Sequence, residues 1–155
     1  MKRSTLFLLP VSVMTIALTC AFIQTSDACD AKTLKENAKA ALDPFKYDSG
    51  KLTRLYYKKK DAMKELEIPV FFGETYKFVW NTEALSRPVK VSVFDKDKNS
   101  TKRKELFSFT TSAAEKIHSF TPAKHATKYY VDYDLPAVSD SLPPSECLVM
   151  MLGFK

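Results

Sequence analysis

The sequence predicts an all-β fold: a single β-sandwich of about eight mostly antiparallel strands with one short N-terminal helix. Three observations predict it. Apolar residues recur with a period of two in most segments after Lys51, turn-forming clusters separate those segments, and no internal repeat, heptad or low-complexity tract interrupts them.

The elements follow in order. Asp30 to Leu42 is rich in Ala, Lys and Glu, lacks Gly and Pro, and sets Leu34, Ala38, Ala41 and Leu42 on one helical face. Asp30 suits the N-cap, and Asp43-Pro44 ends the helix. So narrow a stripe predicts a helix resting against a sheet edge. Leu52 to Lys60 then reads as a strand around Leu55, Tyr56 and Tyr57. Leu66, Ile68, Val70 and Phe72 alternate up to a turn at Gly73-Glu74, and Tyr76, Phe78 and Trp80 alternate after it, which predicts a hairpin with Trp80 buried beneath it. Pro69 cannot donate to a ladder and belongs at an edge or a bulge. Val89, Val91 and Val93, then Leu106 to Thr110, then Ile117 to Phe120 supply three further strands. Tyr129, Val131, Tyr133 and Leu135 alternate again. Pro136, Pro143 and Pro144 mark the loop before Cys147 to Phe154, an apolar run suited to a strand buried on both faces.

Ahead of this domain stands a leader. Lys2 and Arg3 precede the uncharged apolar run Leu6 to Ile23, and Ser26-Asp27-Ala28 offers the small residues that a signal peptidase reads. The expected organisation is a signal peptide over 1–28 and a β-sandwich domain over 29–155, secreted or periplasmic. A membrane anchor and a lipoprotein with Cys29 as acceptor are the competing readings.

Export frames the cysteines. Cys20 leaves with the leader, so Cys29 and Cys147 remain, an even number in an oxidising compartment. A disulfide between them is the economical assignment; a lipidated Cys29 and two reduced thiols are the alternatives. The chain carries 24 Lys+Arg against 18 Asp+Glu, a formal charge of +6, densest at Lys58-Lys59-Lys60 and Lys102-Arg103-Lys104. Such an excess favours solubility and weak attraction to anionic surfaces, and export argues against nucleic acid as a partner.

No spacing of residues points to catalysis, a metal or a cofactor. With only Gly50, Gly73 and Gly153, the chain holds no nucleophile elbow, P-loop or dinucleotide fingerprint. Asp95-Lys96-Asp97-Lys98-Asn99 opens like a calcium loop, but Ser100 and Leu106 stand where Gly and Glu are needed, so a polar hairpin loop is expected. Asn99-Ser100-Thr101 fits the glycosylation acceptor pattern. His118 and His125 lack metal-ligand spacing and read as surface or loop residues. Alternation turns Tyr129, Val131 and Tyr133 inward, leaving Tyr130, Asp132 and Asp134 outward, as ordinary surface or as a contact patch of one aromatic and two carboxylates.

Three stretches carry a resemblance. Gly73 to Phe78, Val89 to Asp95, and Phe120-Thr121-Pro122 leading to Tyr129-Tyr130-Val131 resemble the strand order of pre-peptidase C-terminal-like β-sandwich domains. The N-terminal Cys and the closing strand from Cys147 to Gly153 are similar to small exported proteins of Bacteroidota. The resemblance implies a fold and a compartment; it transfers no functional residue. The functional expectation is an exported, non-catalytic binding or cell-envelope-associated module, its partner a protein or glycan of the envelope or exterior, with membrane contact only through a lipidated Cys29. The alternatives are a carbohydrate-binding domain using exposed Tyr or Trp, and a small hydrolase whose site spacing hides.

Overall fold

The computed structural model describes residues 29–139 and 145–155. The expected signal peptide over 1–28, and Pro143 and Pro144 of the last loop, lie outside the described residues. Helix α1 (Ala31–Ala40) is followed by β1 (Lys46–Tyr56), β2 (Ala62–Pro69), β3 (Tyr76–Asn81), β4 (Lys90–Phe94), β5 (Glu105–Thr110), β6 (Ile117–Phe120), β7 (Lys128–Leu135) and β8 (Ser145–Phe154). Two four-stranded antiparallel sheets face each other, ordered β1-β8-β3-β6 and β2-β7-β4-β5. The β-sandwich expected from the alternation is the observed fold.

Between the sheets lies the main core. Phe78 and Trp80 of β3 stack on each other, and Tyr129 meets Phe78 edge-on with ring centroids 5.5 Å apart. Leu55, Val91, Val93, Val131, Tyr133 and Leu148 close around them. Trp80 is fully buried, as the alternation predicts, but the hairpin beneath which it was to lie does not form. β2 and β3 belong to different sheets. Pro69 explains the break: it ends β2 on the edge of its sheet, and the chain crosses to the other sheet instead of folding back.

The helix departs from expectation too. Asp30 caps it, its carboxylate accepting from the Lys32 and Thr33 backbone N–H groups and the Thr33 hydroxyl. It packs across β8 and β3, the two central strands of the first sheet, rather than against an edge. The reason is on β8, where Cys147, Val149 and Met151 point away from the main core. With Val79 they form an apolar outer face that Leu34, Ala38 and Leu42 cover. Cys29 is disulfide-bonded to Cys147, across a separation of 118 residues. That bond ties the helix to the face it covers, and it occupies the sulfur that a lipid anchor on Cys29 needs.

Candidate functional site

At one pole of the sandwich the connections 70–75, 95–104 and 121–127 meet, together with Lys155. β2 stops pairing with β7 at Pro69, opposite Lys128. The chain then makes a pinned turn. Val70 N–H donates to Thr127 O at 3.0 Å, Phe71 N–H to the Tyr76 hydroxyl at 3.1 Å, and Glu74 N–H to Phe71 O at 3.4 Å. Gly73, at φ +97°, takes the left-handed conformation that closes it. On a strand, neighbouring side chains point to opposite faces; on this turn Phe71 and Phe72 both point to solvent, each 75% exposed. Thr75 and Lys155 exchange two backbone hydrogen bonds of 3.0 Å, which fixes the base of the turn to the end of β8.

A cleft opens beside the turn. β5 and β6 are the edge strands of the two sheets, and the seam between them is closed by side chains, with Phe107 and Phe120 stacked at 4.8 Å. Above that stack lies a space of about 400 Å³. Leu106, Phe120, Pro122 and Tyr129 give it an apolar floor; Lys104, Lys124 and His125 stand on its rim. The Tyr129 hydroxyl donates to Lys124 O at 2.6 Å and holds the 121–127 loop over it. His125 links cleft and turn: its Nδ1 lies 2.9 Å from Glu74 O, and its ring meets Phe72 edge-on at 6.2 Å. An apolar cleft bordered by a few polar groups is the usual form of a binding site.

The outward patch expected on β7 is a different object. Tyr130, Asp132 and Asp134 do share the outer face of the second sheet, opposite Glu67, Glu65 and Met63 of β2 and Phe94, Ser92 and Lys90 of β4. Tyr130 and Asp132, however, are buried. Arg103, from the polar loop expected between β4 and β5, folds back over the sheet. Its Nη1 lies 2.8 Å from Asp132 Oδ2 and its Nη2 3.1 Å from Glu65 Oε2. Its Nε donates to Lys96 O at 2.9 Å, and the guanidinium sits 3.5 Å over the Phe94 ring. The patch is therefore roofed. Asp134 alone of the three is exposed, and desolvation together with the neighbouring Asp132 charge raises its carboxyl above the usual range.

His118 also departs from expectation. It is buried on β6, stacked on Phe109 at 3.9 Å, and its desolvation holds the imidazole below its ordinary pKa despite Glu115 3.8 Å away. The period-two pattern contained the signal: His118 shares its face with the inward-facing Phe120. At the far pole, buried Glu146 accepts hydrogen bonds from the Tyr57 and Ser86 hydroxyls, and Arg87 stacks on Tyr57 at 4.6 Å. Desolvation, then the Glu146 contact, pushes the Tyr57 hydroxyl far up. Among the described residues no group of three His, Cys, Asp or Glu side chains is placed to hold a metal, and no helix is long and apolar enough to cross a membrane.

Phe71 and Phe72 escaped the sequence reading because Phe72 fitted the alternation begun at Leu66. A proline followed within four residues by Phe-Phe-Gly was the available sign of an aromatic turn.

No family model matches the chain, and no curated protein matches it. Among solved structures the chain is similar to the crystal structure of PirA, at 8% identity and a TM-score of 0.40, over 73% of this chain and 99% of that one. A likeness of that size carries no function with it.

Proposed function

We propose that this is an exported, non-catalytic binding module of the cell envelope or exterior, and that it binds through the pole that carries Phe71, Phe72 and the adjoining cleft. The observation behind the reading is the turn itself. Two adjacent phenylalanines are held out by backbone and side-chain hydrogen bonds, although a sandwich with a complete core gains nothing from exposing them. Rigid exposed aromatics lose little conformational freedom when they are covered, which suits them to contact. The disulfide supports an oxidising compartment.

The carbohydrate-binding alternative loses Trp80, which is fully buried, and keeps Tyr47 and Tyr56 of β1 as its exposed rings. In the contact patch expected at Tyr130, Asp132 and Asp134, Asp132 is held by Arg103.

The test compares retention on envelope preparations of the producing organism for the mature protein, Phe71→Ser/Phe72→Ser, and Tyr56→Ser. The double variant should lose retention while keeping its melting temperature, and Tyr56→Ser should keep both. Retention that survives the double variant removes this pole from the reading, and loss with Tyr56→Ser favours the sugar-binding one.

A further inference from the structure

We infer that the occupant of this pole is an anionic lipid surface, into which Phe71 and Phe72 insert while surrounding lysines meet the headgroups; the inference rests on the binding role proposed above. Charge complementarity selects this occupant. Lys96, Lys98, Lys102, Lys104 and Lys124 stand exposed on the connections of the same pole, and Lys155 stands exposed at the end of β8. The acids among them are fewer. Asp95 accepts from Lys104 N–H at 2.8 Å and Asp97 from Asn99 N–H at 2.8 Å, which turns both carboxylates onto their own loop. Glu74 belongs to the turn and with Asp48 borders Phe71, and Asp43 precedes β1.

An aromatic tip on a pole whose loops carry exposed lysines suits the two layers of a bilayer surface, apolar acyl boundary within and charged headgroups without. The tip is built to hold its shape on entry. The Phe71 N–H donates to Tyr76 and the Val70 N–H to Thr127, so these donors do not enter the lipid unsatisfied. The contact requires no lipid on Cys29, whose sulfur is in the disulfide.

Vesicles of phosphatidylcholine, with and without phosphatidylglycerol, test this with the mature protein. Wild type should sediment with the anionic vesicles, much less with the neutral ones, and be released by high salt. Phe71→Ser/Phe72→Ser should weaken partition roughly a hundredfold with an unchanged melting temperature. Phe72→Trp adds a direct readout over the constant background of buried Trp80: its emission should shift to the blue on anionic vesicles and be quenched by brominated lipid. Equal partition onto neutral and anionic vesicles overturns the inference, as does a Phe72→Trp emission that vesicles leave unchanged. Phe71- and Phe72-dependent retention on envelopes without vesicle binding also overturns it, assigns the pole to a protein or glycan, and leaves the binding role standing.

Discussion

The two sheets pack their inner faces on one core, but their outer faces are finished with opposite chemistry. On the first sheet the outward residues of β8 and β3 are apolar, and α1 with its disulfide covers them. On the second the outward residues of β2, β7 and β4 include Glu65, Asp132, Ser92 and Lys90, and a single arginine from a loop covers their centre. An apolar face needs area removed from water, which a helix supplies along its whole length. A charged face needs only its buried charge paired, which one guanidinium bridging two carboxylates can do. The first sheet spends ten residues of helix on its cover, and the second one guanidinium.

That comparison can be broken from either side. The largest effect should follow Cys29→Ala/Cys147→Ala, which unties the helix from the first sheet. The chain-entropy model gives a loop of this length at most about 5 kcal/mol, read as a fall in the urea midpoint that reductant reproduces in wild type. An unchanged midpoint would mean that apolar contact alone holds the helix. Next comes Arg103→Ala, which strands the buried Asp132 and should destabilise by about 3 kcal/mol. Replacing Glu65, Arg103 and Asp132 together with apolar residues of similar volume should recover most of that loss; failure to recover would show that the arginine does more than balance charge. The smallest effect lies at the seam where the sheets meet. Burial lowers the pKa of His118 in the folded state, so between its folded and unfolded values the unfolded chain holds the extra proton. Stability is therefore full above the ordinary histidine pKa and falls as pH drops below it. The melting temperature should decline between about pH 7.5 and 5.5, and less so in His118→Gln. A rise over that interval would mean that the folded chain, not the unfolded one, holds the extra proton.

Strands were legible in the sequence because period two is a local signal. Every expected strand has a counterpart, although the first runs from Lys46 to Tyr56 instead of from Leu52 to Lys60, and β8 was recognisable as doubly buried from its unbroken apolar run. The disulfide followed from counting cysteines. The rest depended on contacts between distant segments. Nothing near Leu34 says whether its helix meets an edge or a face; that is decided by Val149 and Met151, more than a hundred residues later. Asp132 became buried because β7 lies between β2 and β4, and because a loop arginine reaches it from Arg103. Gly73-Glu74 gave the turn but not its destination, since a hairpin and a crossover can use the same turn residues.

The place of β8 has a consequence for the order in which the chain can be completed. It follows the other seven strands in sequence, yet it lies between β1 and β3, and among the described residues β1 pairs with no other strand. During synthesis, β1 therefore waits without a neighbour until β8 has left the ribosome, and the outer cluster under α1 waits with it. Local pairs such as β4 with β5 can form early, but the first sheet cannot close. The pairing of β8 both joins β1 to β3 and brings Cys147 to Cys29.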